Sequence, residues 1–484
     1  MEKILAGLTP KDVFEQFEAI CGIPHGSYHT DAIADYCEAY AKAKGLSCLR
    51  DSANNLIITV PASPGYEASG PVIFQGHMDM VCEKTPNSTF DFDQDGLKLV
   101  VEDGYIHATD TTLGGDDGIA IAMGLALMAD PNIPHPKLYL VFTTDEEVGM
   151  GGATALDLSP VADATSMINM DSEDEGIFIT GCAGGAFTLC SYPLRRTKAK
   201  GLCTTIKVSG LAGGHSGTAI QHFGTNANVL LGQILFQLSK TVDYSIIRLN
   251  GGSKDNAIPR EAQADILIGP NEKTLMTEKI AELAATFTRI TGSIDRQLAI
   301  TAEFGDTREY EVFGRDSEEL AIFVLMNSPN GVMSMNHIQE GLVDTSLNLG
   351  IMRTDGDCLS LSFAVRGNQA ASREFLTDRL CAFTRYLGGT ASVSGVYPPW
   401  EYRTDSPLRD LAVAKYTEIY GKPPVVETIH AGLECGIIAS KLPDLDILAM
   451  GPDILDIHTT EERMDIASVQ RTWKFLLAVL EALK

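Results

Sequence analysis

A chain of 484 residues with 44% hydrophobic content is long enough for two or three domains, each with a substantial core. Sixty-four acidic against 37 basic residues give a formal net charge of −27, which excludes nucleic acid and anionic membrane surfaces as natural partners through phosphate repulsion. The ten cysteines include no Cys-x-x-Cys pair and no compact framework spacing, so buried thiols in a reducing compartment are expected. The first ten residues show no basic segment leading into a long apolar core, and apolar stretches such as 118–129 are too short to span a bilayer. A cytoplasmic protein is the expectation.

In chain order, Thr9-Pro10 ahead of residues 11–21 predicts a helix with Thr9 as N-cap and Pro10 at the first helical position. Its Val13, Phe17 and Ile20 share a face. Short β-type runs follow at residues 55–60, 71–74, 138–142 and 166–169, with an apolar helical stretch at 118–128 among them. This alternation predicts α/β layers around a largely parallel sheet. From about Ala186 the pattern changes to strand-like runs at 188–192 and 203–208, separated by the basic segment 195–200. Breaks near Gly184-Gly185 and at Tyr397-Pro398-Pro399-Trp400 divide the chain into residues 1–185, an inserted domain at 186–398, and a return to the first domain at 399–484. A helix is expected around 408–420.

Polar segments sit at the ends of these runs. Residues 71–81 end a buried-strand pattern in His77-Met78-Asp79, where an imidazole can ligate metal while the carboxylate two residues on orients it; a satisfied polar pair has the same signature. Asp116 and Asp117 occupy a glycine-bounded turn before an apolar helix, a place where capping acids also sit. Glu146 and Glu147 follow the run 138–142. Adjacent acids repel, and a divalent cation on one leaves the other free to move protons, although solvated turn acids look alike in sequence. Asp171 closes the next run, and His458 lies in the polar loop 451–462. Ligands in open α/β sheets gather outside the carboxyl ends of strands, so these distant residues can converge. Two histidines, two aspartates and a glutamate make a nitrogen and oxygen site suited to Zn, Mn or Co better than to Mg alone.

The ordered motifs Gly76-His77-Met78-Asp79-Met80-Val81, Leu113-Gly114-Gly115-Asp116-Asp117-Gly118, Thr144-Asp145-Glu146-Glu147-Val148-Gly149-Met150, Asn169-Met170-Asp171-Ser172-Glu173, Gly213-Gly214-His215-Ser216-Gly217 and His430-Ala431-Gly432-Leu433-Glu434-Cys435-Gly436 resemble the co-catalytic metallopeptidases that include aminoacylase, carnosinase and peptidase V. The resemblance covers essentially the whole chain and is nearest to the bacterial members that cleave aminoacyl-histidine dipeptides. It implies a phosphorylase/hydrolase-like mixed sheet flanked by helices, with an inserted α+β lid and dimerisation domain. It implies two divalent ions, with Zn expected and Co or Mn as alternatives. His77 and Asp171 would hold one ion and Glu147 and His458 the other, with Asp116 bridging, Asp79 orienting His77 and Glu146 as general base. A cis peptide at Asp116-Asp117 is implied as well. Relatives often carry Asp-Asn there, which leaves Asp117 here as a second, unpaired acid.

In the inserted domain, Gly213-Gly214-His215 lacks the Lys-Ser or Lys-Thr ending of a phosphate loop. The resemblance instead makes His215 a hydrogen-bond donor to the tetrahedral intermediate, reaching it from the partner subunit of a homodimer. It makes Asn256, Arg366 and Gly432 substrate contacts, with Arg366 as a clamp for a free C-terminal carboxylate. The residues alone leave Arg366 a surface arginine. The expected reaction is hydrolysis of small peptides, foremost Xaa-His dipeptides such as carnosine. Alternatives are a broader dipeptidase or tripeptidase, and an N-acyl amino acid amidohydrolase using the same metals. A non-catalytic binding homologue is disfavoured because every metal and base position is filled.

Overall fold

The computed structural model describes residues 3–222, 224–292, 294–337 and 339–484. The chain forms two compact units: one takes the N-terminal part through Cys182 together with Trp400–Thr428 and Leu433–Lys484, the other Ala183–Pro399 with Ile429–Gly432.

The first unit is built on an eight-stranded sheet in the order Ser47–Arg50, Leu56–Val60, Leu138–Thr143, Val72–His77, Ser166–Asn169, Asp446–Ala449, Ile177–Cys182 and Val425–Ile429. The four strands from Leu138–Thr143 to Asp446–Ala449 run parallel, and antiparallel pairings flank them. Val72–His77 and Leu138–Thr143 are buried at every position, which is why they read as continuous rather than alternating apolar runs. Helix Gly115–Ala129 is buried from Gly115 through Met128 and, beyond Asp116 and Asp117 in its first turn, apolar all round. Its Ile119, Ile121 and Leu125 share one core with Val13, Phe14 and Phe17 of helix Lys11–Cys21, with Phe74 and Phe142 of the sheet, and with Leu476 of helix Ile466–Ala482.

Several expected boundaries move. Thr9 is not the cap of the first helix: Pro10 takes the N-cap position in extended conformation (φ −70°, ψ 129°), no side chain caps the helix, and Lys11 is its first residue. Asp12 in the first turn faces the positive helix end instead. The strand expected to stop at Phe74 continues to His77, because Gly76 and His77 stay in register with Phe142 and Thr143. The helix expected from Gly118 starts at Gly115, with non-helical backbone at Asp116 (φ −84°, ψ 105°) and Asp117 (φ −117°, ψ 31°). The peptide between those two aspartates is cis.

The second unit is α+β. Its nine-stranded sheet carries, in order, Ala299–Phe313, Arg196–Ser209, Ala262–Ile268, Tyr244–Gly251, Val343–Asp355, Cys358–Gly367, Gly184–Pro193 and Thr390–Tyr397, with Gly331–Met335 beside Val343–Asp355. The basic segment expected to separate two strands lies mostly inside one: Arg196 to Lys200 pair with Phe313 to Glu309 along a sheet edge where long charged side chains reach water. Leu231 and Ile234 of helix Ala227–Leu238, Val324 and Leu325 of Arg315–Asn327, and Leu376 and Leu380 of Ala370–Tyr386 close the core over Ile206, Ile246, Leu347 and Phe363. Among the described residues no helix is long and apolar enough to cross a membrane. All ten cysteines are free thiols.

Gly76 is a point of close approach between the sheet and the start of the buried helix. A Cβ there would lie 2.5 Å from Ala120 Cβ and 2.5 Å from Asp117 Oδ2. Gly76→Ala is therefore expected to cost about 1–3 kcal/mol through overpacking, read as a lower thermal unfolding midpoint by circular dichroism. An unchanged midpoint would show that the helix can back away freely.

Candidate metal centre

The parallel pairing sets His77 opposite Thr143 and Gln75 opposite Asn169, so the three strands end at one level. Just past those ends come Asp79, Glu146 with Glu147, and Asp171; Asp116 enters from the first turn of the buried helix. His458 enters from a loop, with its backbone in the left-handed region at φ 61°, a conformation that costs a non-glycine residue roughly 1–2 kcal/mol.

Asp116 is the hinge of the cluster. Its Oδ1 lies 3.1 Å from His77 Nε2 and its Oδ2 lies 3.1 Å from His458 Nε2. Asp171 Oδ1 stands 3.9 Å from His77 Nε2, and Glu147 Oε1 stands 2.9 Å from His458 Nε2. The ligand atoms of His77, Asp116 and Asp171 all lie within 4.8 Å of one another, as do those of Asp116, Glu147 and His458 and those of His77, Glu146 and Glu147. The sequence-predicted ligands thus converge as two triads that share Asp116.

The donor chemistry fits cations at these triads. His77 Nδ1 lies 3.0 Å from the Asp79 carbonyl oxygen, so the hydrogen of a neutral ring belongs on Nδ1 and Nε2 presents a lone pair to Asp116. Two acceptors 3.1 Å apart need a proton or a metal between them. Glu147 Oε1, buried and close to His458, makes no geometrically sound hydrogen bond and is likewise left for a cation. The protonation balance without metal says the same. Burial above all lifts Glu146, Glu147 and Asp171 above the usual carboxylate range, and neighbouring acid charge adds to it against the pull of the histidines. Burial opposes charge on the histidines too, yet hydrogen bonds to Asp116 and Asp79 hold His77 above the ordinary imidazole range. The bond to Asp116 and the close negative charge of Glu147 push His458 up to about 11. Burial works against the charge on Asp116 as well, but its bonds to His458 and His77 win and keep it ionised.

Asp79 does more than face His77. Its carboxylate, with Oδ1 3.6 Å from His77 Nδ1, accepts from Ser27 Oγ at 2.8 Å and from the backbone N–H of Glu146 at 3.1 Å and of Glu147 at 3.4 Å. One buried carboxylate therefore sets both the imidazole and the turn carrying the acid pair. Asp117 is not the unpaired acid expected: its Oδ2 accepts from the His77 backbone N–H at 3.3 Å, and burial raises its pKa well above the usual range.

Sequence reasoning missed a polar layer under the strand ends. Glu434, fully buried, accepts from Gln75 Nε2 at 2.6 Å and Thr143 Oγ1 at 2.5 Å, and burial lifts its pKa to about 7. Gln75 Oε1 accepts from Asn169 Nδ2 at 2.6 Å, and Asn169 Oδ1 accepts from the Asp171 N–H at 3.2 Å. The polar residues inside the otherwise apolar runs, Gln75 and Asn169, were the available signal.

The other predicted residues belong to the second unit. Arg366 is buried rather than on the surface, donates from Nη1 to Tyr397 Oη at 2.8 Å, and has Nη2 3.3 Å from His215 Nε2. Its Nε has no hydrogen-bond partner, and no carboxylate among the described residues forms an ion pair with it. Gly432 packs on the Tyr397 ring, where a Cβ would come within 2.7 Å, and His430, kept neutral by burial and the nearby Arg366 charge, bonds Ser346 Oγ at 2.8 Å. Asn256 and His215 line one groove of about 690 Å³ with Arg260 and Lys207.

A family model described as peptidase family M20/M25/M40 matches residues 73–482. The chain belongs to that family. It is 33% identical over 480 residues to the cytosol non-specific dipeptidase of Escherichia coli K12, covering 99% of this chain and 98% of the relative. It superposes on the crystal structure of an aminoacylhistidine dipeptidase from Vibrio alginolyticus with a TM-score of 0.87 at 33% identity, covering 99% and 98% of the two chains. A tripeptidase from Staphylococcus aureus, at 16% identity and TM-score 0.56 over 98% of this chain and 99% of its own, shares the fold. The chain is a peptidase with a mixed α/β fold, and peptide-bond hydrolysis is its chemistry.

Because protons on His77 and His458 compete with a cation, loading this M20 peptidase with metal is expected to expel protons at neutral pH. Affinity should rise with pH from neutrality toward the raised value near 11 of His458. Calorimetric titration of chelated protein with zinc, in two buffers of different ionisation heat, measures the release. Affinity independent of pH between about 6 and 8 would contradict it.

Proposed function

We propose that this peptidase hydrolyses the peptide bond of dipeptides, Xaa-His dipeptides such as carnosine among them, with two divalent ions, most suitably zinc, held by His77, Asp116, Glu147, Asp171 and His458. The single observation that carries the reading is Asp116 standing between two imidazole nitrogens at 3.1 Å on either side. When bound, the ions would polarise the scissile carbonyl and make an attacking water more acidic.

Glu146 accepts the proton as the water O–H bond breaks and delivers it to the amine nitrogen as the C–N bond breaks. A carboxyl group that burial already makes reluctant to stay charged suits that relay. Asp79 keeps Glu146 aimed by holding its backbone N–H. His215 donates a hydrogen bond to the carbonyl oxygen as negative charge grows on it. Arg366 pairs with the C-terminal carboxylate, a role supported by its burial without an acid partner and its unbonded Nε; Asn256 and Gly432 contact the substrate. The resemblance adds a homodimer formed through the second unit, from which His215 would act in trans; sedimentation of the purified protein tests that assembly. A cytosolic location follows the E. coli relative's name and agrees with ten free thiols.

A broader dipeptidase is favoured by that same name, whereas the Vibrio relative's name favours Xaa-His. Turnover on a panel of Xaa-His, other dipeptides, tripeptides and N-acyl amino acids, after reconstitution with zinc, manganese or cobalt, separates these readings. Preference for N-blocked substrates would defeat the dipeptidase reading.

Glu146→Gln is expected to keep both ions while kcat falls by about 10²–10⁴. Glu147→Gln is expected to lose one ion. Metal analysis beside steady-state kinetics checks the pair, and full turnover in Glu146→Gln would remove Glu146 from the proton relay.

A further inference from the structure

Glu462 lies four residues beyond His458, and its side chain is only 3% exposed although it ends a polar loop. No cation pairs with it among the described residues. Instead its two oxygens accept three successive backbone N–H groups of the other chain segment: Leu113 at 2.9 Å and Gly114 at 3.2 Å on Oε2, and Gly115 at 2.8 Å on Oε1. These amides immediately precede Asp116. Gly114 can turn them toward one point because it sits at φ 66°, where a Cβ would also lie 2.9 Å from Met80 Sδ.

The ends of the loop are fixed by strands Ile454–Leu455 and Arg463–Asp465, which pair with each other and, through Arg463–Asp465, with Tyr105–Ala108; the stretch between them that carries His458 is held mostly by its own bonds. Thr459 Oγ1 bonds the Asp456 carbonyl, Arg463 bonds Asp456 and the Glu461 carbonyl, and the Glu461 N–H bonds Thr459, so these bonds close within the segment. His458 has a side chain 45% exposed and a left-handed backbone, and such a conformation persists only where surroundings hold it. Apart from the His458–Asp116 contact itself, the side-chain tie from this loop to the Asp116 turn is Glu462.

We infer that Glu462 is a positioning residue for the metal triad Asp116, Glu147 and His458: it locks the loop that carries His458 to the turn that carries Asp116. It touches neither substrate nor metal. Its counterpart is Asp79, which ties His77 to the Glu146-Glu147 turn. The two carboxylates do the same physical job on opposite sides of Asp116, each reading its partner segment through backbone amides. The acid is required because three converging N–H donors match a two-oxygen acceptor; the amide of glutamine turns a donor toward one of them.

This inference rests on the two-ion reading, and the experiment separates their failures. Chelated wild type, Glu462→Gln, Glu462→Asp and the neighbouring control Glu461→Gln are titrated with cobalt, following stoichiometry by metal analysis, affinity by calorimetry and ligand geometry by visible absorption. Wild type and Glu461→Gln are expected to take up two ions. Glu462→Gln should bind the second ion about 10- to 100-fold more weakly with an altered cobalt spectrum, while the first binds within a few-fold of wild type; Glu462→Asp, whose shorter arm withdraws the carboxylate, should do the same. Wild type that binds fewer than two ions would bring down the two-ion reading and this inference with it. Two ions bound normally by both Glu462 variants would overturn the inference alone. So would loss of the helical circular dichroism signal in both variants, which would make Glu462 a residue needed for folding.

Discussion

Buried carboxylates crowded into one space repel one another, and the first unit is arranged around containing that repulsion. Asp116, Glu146, Glu147 and Asp171 would not share such a volume without positive charge. Two imidazoles supply some of it, and Asp116 is placed so that each of its oxygens meets one of them at 3.1 Å. The remaining demand is what makes the site a cation trap. An acid cluster relaxed by surface water would have no such appetite; this one is largely withdrawn from solvent, and backbone amides hold Asp79 beside it in place.

The holding is done by groups that never enter the chemistry. Glu434, Gln75, Thr143 and Asn169 stitch the ends of three strands at the level where the ligands emerge. Asp79 and Asp117 grip backbone N–H groups on either side of His77, and Glu462 grips three more. Charged side chains aimed at peptide groups give a stiffer reference than side chains aimed at each other, because these peptide groups lie at a strand end and in turns directly joined to the sheet and the buried helix. The M20 fold thereby turns the rigidity of a parallel sheet into fixed ligand distances.

Much of this was legible in the sequence for a physical reason. A strand buried on both faces has to be an apolar run, so polar residues at its end are conspicuous, and His77, Glu146, Glu147 and Asp171 all stand at such ends. Their order along the chain carried the family resemblance. Less legible was anything whose role depends on the far side of a contact. Glu462 stands beside Glu461 in a polar loop and Glu434 inside a motif, and nothing local to either announces that a carboxylate will be buried against distant partners. Arg366 reads as a surface residue for the same reason. The misplaced start of the first helix has a local cause: Thr9 and Pro10 both satisfy capping rules, and the backbone at Pro10 is extended, so the helix waits one residue longer.

Strand Asp446–Ala449 lies between Ser166–Asn169 and Ile177–Cys182, inside the sheet, although the chain reaches it only after the whole second unit. A ribosome therefore delivers the two flanking strands long before the strand that separates them. At usual elongation rates of about 5–20 residues per second, the gap remains open for on the order of tens of seconds. During that interval the nascent sheet presents an unpaired parallel edge with the candidate metal site behind it incomplete, since His458 is still unmade. Completion of the sheet and assembly of the ligand set are thus late events of biosynthesis. A truncated chain would emerge with a tear through its middle rather than a missing tail.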